Sequence, residues 1–258
     1  MNRRYKEAFI CLISFVFIIS FGSILRAESG NTSNDSFQRA KNWLLNDVYK
    51  DHHTTIYCGA TFTADKRIIP LTGFYTERYQ NRADKLEWEH IVPAENFGRI
   101  FPEWREGHPT CLNAKNEPFK GRKCAEQASK EYRFMQADMY NLYPAIGSVN
   151  ALRQNYNFTQ FQSDTQSSFG TCLMKIQDKK AEPPAPARGI IARTYLYFED
   201  AYHRYRMSDS QRKLMQAWDK TYPVDEWECE RACRIQTLQK NINRVLKGKC
   251  QAKGIWKC

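Results

Sequence analysis

Glu89 and His90 are neighbours near the end of a predicted β-strand at residues 86–91. A carboxylate oxygen is a hard ligand of the kind that Mg²⁺ and Ca²⁺ prefer, and a neutral imidazole can take a proton from water near neutral pH. Hydrolysis of a phosphodiester bond needs a cation beside the phosphoryl group and an activated water. The pair therefore predicts phosphodiester hydrolysis, with a pH profile that rises through an apparent pKa close to that of free imidazole.

The adjacency of these two residues sets a condition on the backbone. Neighbouring side chains of a regular strand point to opposite faces, so Glu89 and His90 can share a site only if the chain bends there. Pro93 lies just downstream and favours such an ending of the strand. A single histidine is more often a hydrogen-bonded structural residue than a base, and only His90 has informative neighbours. The other histidines are His52, His53, His108 and His203.

Several segments of the chain carry a family resemblance. Residues 87–97, EWEHIVPAENF, resemble the active-site segment of the endonuclease I family, which consists of secreted or periplasmic non-specific nucleases with a ββα-metal (His-Me finger) motif. Residues 138–150, DMYNLYPAIGSVN, resemble the second characteristic block of that family. Residues 121–124, 189–197 and 222–229 match as well, so the resemblance covers nearly all of the chain after residue 27.

The resemblance implies how the metal is held. The segment ending in Tyr143 would be the second strand of the motif, and Asn150 would project from the short helix that follows. Glu89 and Asn150 then become the two protein ligands of one Mg²⁺, with Mn²⁺ or Ca²⁺ able to replace it in binding. Two oxygen ligands leave the other positions to water and phosphate. His90 becomes the general base.

Three further residues have roles implied by the resemblance. Arg122 would bind the cleaved phosphate through its planar guanidinium. The alternative is that Arg122 belongs to a basic, solvated surface, because a motif match stays a hypothesis until the geometry is known. Glu87 is expected to support neighbouring side chains, and Asn141 is expected to tie the backbone of the motif together.

The chain departs from the usual family pattern at two positions. Tyr140 stands where the family usually has a histidine before the motif asparagine, and Gln136 stands where an acidic residue is usual. If those family residues surround the metal ligands, the metal preference or the pH optimum differs here. The expected ligands and the expected base are nevertheless all present.

The first residues of the chain predict export. Residues 8–25 contain no charged side chain and follow Arg3, Arg4 and Lys6, while Ala27 offers a small residue for cleavage. This pattern predicts a signal peptide at residues 1–27 and a nuclease domain at residues 28–258. An uncleaved membrane anchor is the alternative, since the apolar run is long.

Cysteine usage agrees with an oxidising compartment. The chain has nine cysteines, of which Cys11 lies inside the predicted signal peptide, and the remaining eight suggest four disulfides. Eight cysteines allow 105 connectivities, and the sequence does not choose among them. A zinc site is the alternative, but the close pair Cys229 and Cys233 has no matching pair nearby.

The chain is strongly basic. Its formal net charge is +11, and removing residues 1–27, with their four basic residues and one acid, leaves +8. A polyanionic partner becomes plausible, although a basic surface can also simply keep an exported protein soluble. The rival to an enzyme is a catalytically inactive, basic, disulfide-rich protein that binds nucleic acid or another polyanion.

The pattern of apolar residues predicts the elements that position these groups. Helical spacing with Ser36 as N-cap predicts a helix over residues 37–49, and short β-prone runs follow at residues 54–58 and 67–71. Three apolar stripes predict a helical second half, and the prolines of residues 182–188 predict an extended connector. We expect one mixed α+β domain, stabilised by disulfides. The stripes are Ile191, Tyr195, Phe198 and Tyr202, then Leu214 and Trp218, then Ile235, Leu238, Ile242 and Val245.

Together these observations predict a secreted or periplasmic endonuclease that uses one divalent metal ion. Contacts to the phosphate backbone carry no base information, so little sequence preference is expected. The substrate is DNA, with RNA left open, and the products carry 5′-phosphate ends. We expect a monomer without stable membrane association once the signal peptide is removed.

Overall fold

The structure, a computed structural model, describes residues 30–69 and 71–258 as a mixture of helices and two small β-sheets. The predicted α+β class is confirmed. The helices are α1 Phe37–Trp43, α2 Ala94–Gly98, α3 Pro102–Arg105, α4 Arg122–Ala128, α5 Lys130–Gln136, α6 Gly147–Arg153, α7 Ala185–Ala201, α8 Asp209–Thr221, α9 Glu226–Gln239 and α10 Arg244–Ala252. The strands are β1 Leu86–His90, β2 Leu142–Ile146, β3 Asn157–Phe158, β4 Lys175–Gln177 and β5 Lys180–Glu182.

The pair β1 and β2 is central to the arrangement of the site. The two strands are antiparallel, with Leu86 opposite Ile146 and His90 opposite Leu142. Every residue of β2 is buried, so this strand is covered on both faces, and α6 starts immediately after it at Gly147. The predicted strand at residues 86–91 is confirmed to within one residue. The second strand extends three residues beyond Tyr143, where the sequence had predicted its end.

The opening helix is confirmed in extent but not in type. Ser36 is the N-cap and its side chain accepts a hydrogen bond from the backbone N–H of Arg39. After Trp43 the helix widens into a π-helical turn, in which the N–H of Tyr49 donates to the carbonyl of Leu44 at 2.8 Å. Ala40 and Leu44 are fully buried, as helical spacing requires of one face.

The β-prone runs at residues 54–58 and 67–71 do not form regular strands among the described residues, so this prediction was wrong. They contribute only isolated bridges, such as Thr54 to Thr61 and Phe62 to Ile68. In the run at residues 54–58 a tight turn interrupts the extended chain. The N–H of Gly59, which has a φ of +63°, donates a hydrogen bond to the carbonyl of Thr55.

The proline-rich connector is also a wrong prediction. Helix α7 begins at Ala185, with Pro184 as its N-cap and Pro186 in its first turn. Proline is tolerated there because the first N–H groups of a helix have no intrahelical acceptor. The third apolar stripe is divided between two helices, since α9 ends before Lys240, whose φ is +66°.

The eight cysteines at described positions all form disulfides, which confirms the four predicted bridges. One bridge joins positions 114 residues apart and so ties the loop before β1 to the segment before β4. The pairs are Cys58–Cys172, Cys111–Cys124, Cys229–Cys250 and Cys233–Cys258.

The predicted signal peptide at residues 1–27 lies outside the described residues. Within residues 30–69 and 71–258, no helix has the length and apolar character needed to cross a membrane. The first described residues are packed rather than loose. Asn31 is buried, its N–H donates to the hydroxyl of Tyr202 at 2.9 Å, and its side chain donates to the carbonyl of Phe134 at 2.9 Å.

Candidate active site

The structure brings the four residues singled out for chemistry to the walls of one cleft, here called the β1 cleft. Glu89, His90, Arg122 and Asn150 all line this space, which has a volume of about 500 Å³. A separate cavity of about 420 Å³ next to the Cys58–Cys172 bridge contains none of them. The residues therefore converge although they come from β1, α4 and α6.

Glu89 and His90 both line the β1 cleft, and the chain bends immediately after them at residues 91 and 92. The side chain of Asn141 brackets the backbone of Val92, accepting from its N–H at 2.7 Å and donating to its carbonyl at 2.9 Å. The N–H of Ile91 also donates to the backbone carbonyl of Asn141 at 3.0 Å. These bonds turn the chain out of the strand directly after His90.

Glu89 is almost fully buried, with 3% of its surface exposed, and only one of its oxygens is occupied. Its Oε1 accepts from the hydroxyl of Tyr57 at 2.8 Å and from Nη1 of Arg153 at 2.9 Å. Its Oε2 has no hydrogen-bond partner among the described residues. Burial raises the pKa of the Glu89 carboxyl, and the Arg153 guanidinium opposes this rise.

Arg153 is a site residue whose role the sequence did not reveal. It is fully buried, and besides Glu89 it donates to the backbone carbonyls of His90 at 2.8 Å and Ile91 at 2.6 Å. One side chain thus fixes both the carboxylate and the bend. The available signal was its position three residues after Asn150, which places both on neighbouring parts of one helix surface. Tyr57, in a turn, gave no comparable signal.

The amide of Asn150 is oriented by a carboxylate. Its Nδ2 donates to Oε2 of Glu87 at 2.8 Å, and Glu87 is itself held by Arg82, whose Nε donates to Oε1 at 2.7 Å. Because an amide nitrogen only donates, this contact fixes which way the group points and leaves Oδ1 as a free acceptor. Gly147 permits the approach, since a Cβ there would lie 2.8 Å from Oε1 of Glu87.

His90 is held as a neutral ring in a defined tautomer. Its Nε2 lies 2.9 Å from the backbone carbonyl of Gln136, which can only accept, so Nε2 carries the proton and Nδ1 is left as an acceptor. The ring packs between Phe37 and Phe97, at centroid distances of 5.1 and 6.0 Å. Burial, reinforced by the charge of Arg122, lowers the pKa of His90 to about 3. This differs from the imidazole-like pKa expected from the sequence, because the ring is shielded from water.

Arg122 is the first residue of α4, and its side chain is exposed where it lines the β1 cleft. Its Nε donates to Oε1 of Glu126 at 3.2 Å, and its guanidinium carbon lies 5.6 Å from the centroid of the Phe37 ring. Its terminal nitrogens have no hydrogen-bond partner among the described residues. The same guanidinium thus lies on a solvated surface and at the wall of the cleft, and its role in binding phosphate stays a prediction.

The two departures from the family pattern lie in different surroundings. Gln136 supports the cleft twice, because its carbonyl holds His90 and its Nε2 donates to the same Glu126 oxygen that pairs with Arg122. Tyr140 does not line the cleft, and its hydroxyl donates to backbone carbonyls near α9, including that of Ala232 at 3.2 Å. Only the position of Gln136 can therefore influence the cleft directly.

The four residues share one arrangement, in which part of each side chain is hydrogen-bonded and another polar atom has no partner among the described residues. The atoms without a hydrogen-bond partner among the described residues include Oε2 of Glu89 and Oδ1 of Asn150, two hard oxygen donors of the kind that Mg²⁺, Mn²⁺ and Ca²⁺ accept. A site with two protein oxygens keeps its other positions for water and substrate. No cluster of three or more His, Cys, Asp and Glu side chains suited to a metal is found in residues 30–69 and 71–258.

Comparison with known proteins agrees with this picture. Residues 31–248 match the model of the endonuclease I family. The chain is 36% identical to a periplasmic deoxyribonuclease of Aeromonas hydrophila, over 97% of this chain and 100% of that protein. It is 37% identical to an extracellular deoxyribonuclease of the same species, over 89% and 96% of the two chains, and 34% identical to endonuclease-1 of Buchnera aphidicola subsp. Acyrthosiphon pisum (strain APS), over 96% and 94%. The chain therefore belongs to the endonuclease I family.

Proposed function

We propose that this protein is a secreted or periplasmic endonuclease that hydrolyses phosphodiester bonds of DNA. The observation that carries the proposal is the convergence of Glu89, His90, Arg122 and Asn150 on the β1 cleft, each with free polar atoms. The names of the relatives, periplasmic and extracellular deoxyribonuclease, support the substrate and the compartment. In this proposal β1, β2 and α6 form the ββα-metal motif.

In this proposal Glu89 and Asn150 hold one divalent cation, of which Mg²⁺ is the first choice, through their free oxygens. The bound cation supplies positive charge beside the phosphoryl oxygens. Arg153 and Tyr57 keep the carboxylate of Glu89 pointing into the cleft. Glu87 keeps the oxygen of Asn150 pointing the same way.

His90 acts as the general base. Its Nδ1 accepts a proton from the attacking water, while the Gln136 carbonyl accepts from Nε2 and stabilises the imidazolium that forms. A pKa of about 3 makes a weak base in the free protein, but phosphate bound at Arg122 offsets the positive charge that contributes to the low value. Arg122 binds the phosphate through its free terminal nitrogens. The 3′ oxygen leaves with a proton from solvent, so the product carries a 5′-phosphate end.

The experiment that tests this function is nicking of supercoiled plasmid by the purified protein in Mg²⁺ and in chelator. We expect nicking that needs the cation, is abolished in Glu89→Ala, and falls by about 10²- to 10⁴-fold in His90→Ala while that variant still binds DNA. Binding without cleavage in Mg²⁺ and Mn²⁺ would instead establish the inactive polyanion-binding protein. Parallel assays on single-stranded RNA decide whether RNA is also a substrate.

The limits of the signal peptide and of the nuclease domain, and the monomeric state, belong to the same proposal. Residues 1–27 would be removed as a signal peptide, which leaves a nuclease domain at residues 28–258. The hydrogen bond from Asn31 to Tyr202 supports counting the residues around Asn31 as part of the domain. The mature protein would act as a monomer. Intact mass of exported protein tests the cleavage after Ala27, and light scattering tests the monomer.

A further inference from the structure

A second cavity adjoins the β1 cleft and contains two lysines that the proposed mechanism does not use. This lysine pocket has a volume of about 270 Å³ and is lined by Phe37, Lys41, Lys66, Leu86, Glu87, Trp88 and Asn150. Phe37, Glu87, Trp88 and Asn150 also line the β1 cleft. A ligand in the β1 cleft can therefore extend into the lysine pocket without leaving the surface of the protein.

The two lysine ammonium groups of this pocket have no paired carboxylate among the described residues. Neither the Lys41 ammonium nor the Lys66 ammonium forms a hydrogen bond or an ion pair with any described residue. The pocket does contain the carboxylate of Glu87, but both of its oxygens are engaged by Arg82 and Asn150. Two like charges that share a pocket repel each other, so the arrangement is least costly when an anion lies between them.

The ring of Phe37 connects these cations to the β1 cleft. The ammonium of Lys41 lies 4.8 Å from the ring centroid, and the guanidinium carbon of Arg122 lies 5.6 Å from it. Partial burial lowers the pKa of Lys41, and the charges of Lys66 and Arg122 lower it further. Lys41, Lys66 and Arg122 thus form one electrostatically coupled group that runs from the lysine pocket into the β1 cleft.

The fold holds Lys66 at this place through an unusual backbone conformation. Its φ is +66°, a left-handed value that glycine and asparagine adopt more readily than lysine. Its carbonyl accepts from the N–H of Leu86, the first residue of β1, at 2.9 Å. Lys66 is therefore fixed to the strand that also carries Glu89 and His90, and its position relative to the β1 cleft is set by the strand.

We propose that Lys41 and Lys66 form a second phosphate subsite, which binds the DNA phosphate next to the scissile phosphate on the same strand. The inference rests on the proposed function, because it assumes that the scissile phosphate occupies the β1 cleft. A nucleic-acid strand carries a phosphate at every nucleotide, so a strand that continues past Asn150 brings the adjacent phosphate to the two unpaired ammonium groups. The subsite binds substrate and product alike, and therefore affects KM more than kcat.

The first test compares two double variants of the full mature chain with equal charge. Lys41→Gln/Lys66→Asn removes the subsite and uses asparagine at the left-handed position. Lys213→Gln/Lys220→Gln removes two exposed lysines of α8 that line neither cavity. Binding of a labelled DNA duplex in chelator is measured by fluorescence anisotropy over roughly 50 to 200 mM salt. The subsite variant should lose at least ~10-fold in affinity, and its slope of log K against log salt should become shallower by about 2.

The control variant should keep a slope close to that of the wild type. Equal slopes and affinities for the two double variants would overturn the subsite. Both variants must keep the thermal midpoint of the wild type, which shows that neither change disturbs the fold. Steady-state cleavage in Mg²⁺ should show the loss in KM with kcat changed by less than ~3-fold.

The second test identifies the phosphate itself. Oligonucleotides that are short enough to bind in one register carry a neutral methylphosphonate at one phosphate at a time. One adjacent replacement should weaken wild-type binding by at least ~10-fold and should not weaken binding by Lys41→Gln/Lys66→Asn further. The subsite is contradicted if every methylphosphonate weakens binding by the wild type and by Lys41→Gln/Lys66→Asn to the same extent. Absence of cleavage by the wild type would refute the proposed function alone, because both binding tests are read in chelator.

Discussion

Replacing Arg153 with methionine is the most discriminating test of how the site is built. The wild-type guanidinium is fully buried, pairs with Glu89 at 2.9 Å, and donates to the carbonyls of His90 and Ile91. Removal of one partner from a buried ion pair costs about 3 to 5 kcal/mol because the other charge stays buried. Each carbonyl that loses its donor adds about 1 kcal/mol. We therefore expect a loss of about 5 to 7 kcal/mol in the free energy of unfolding and a fall in Tm of at least ~10 °C.

A double-mutant cycle identifies the cause of this loss. Glu89→Gln removes the charge that Arg153→Met leaves unpaired, so the double variant should be more stable than the sum of the single losses by about 2 kcal/mol. Urea unfolding followed by circular dichroism gives all four free energies. Arg193→Met is the matched control, since Arg193 is a buried arginine paired with Glu228 instead. The losses of unfolding free energy in Arg193→Met and in Glu89→Gln should be additive within ~0.5 kcal/mol.

The loss of unfolding free energy in Arg153→Met, here called the defect, should depend on pH in one direction only. Burial already raises the pKa of Glu89 in the folded protein, and loss of the guanidinium raises it further. A carboxyl with a higher pKa folded than unfolded binds a proton more readily when folded, so its protonation stabilises the native state as pH falls. The defect should be smaller near pH 5 than near pH 8. A defect below ~1 kcal/mol, or one that grows on acidification, would refute the assignment of Arg153 as the partner of Glu89.

Three other outcomes follow from the same geometry. Glu87→Ala should raise the Mg²⁺ concentration for half-maximal cleavage by about 10- to 100-fold, because the Asn150 amide loses the partner that orients it. Since the pKa of His90 is lowered to about 3, kcat/KM should not fall as the pH is lowered through 6.5. The decline of kcat in acid should occur at a higher pH than the decline of kcat/KM, because bound phosphate offsets the positive charge of Arg122. Replacing both cysteines of the Cys58–Cys172 bridge with serine should cost about 4 to 5 kcal/mol in urea unfolding, since the bridge spans 114 residues, and an unchanged midpoint would contradict this.

The sequence predicted the elements whose evidence is local. Ser36 was identified as a helix N-cap, and its side chain accepts the expected backbone N–H. The strand carrying Glu89 was identified because β-strand periodicity and turn residues lie within a few positions of each other. The prolines near residue 184 misled for the same local reason, because proline fits an extended segment and a first helical turn equally well.

The contacts that orient the site join distant parts of the chain and leave no local pattern. The bend after His90 depends on the side chain of Asn141, which is about 50 residues away in sequence and opposes this part of the chain only after β1 and β2 have paired. Tyr57 meets Glu89 from a loop that the sequence assigned to a strand. The low pKa of His90 depends on burial between Phe37 and Phe97, and an ionisable group has its ordinary value until the fold removes its water.

The division of each side chain into a fixed part and a free part explains why so much of the site is buried. Oε1 of Glu89, Nδ2 of Asn150 and Nε2 of His90 are held by neighbours, and the other polar side-chain atoms of these residues have no hydrogen-bond partner among the described residues. Groups fixed before substrate arrives need no reorientation in the transition state, which is the main source of electrostatic stabilisation in enzymes. The supporting residues therefore act on geometry through the atoms they hold. Their replacement should lower catalysis even where the group that meets the substrate is untouched, and Glu87 and Arg153 are the positions at which to measure that effect.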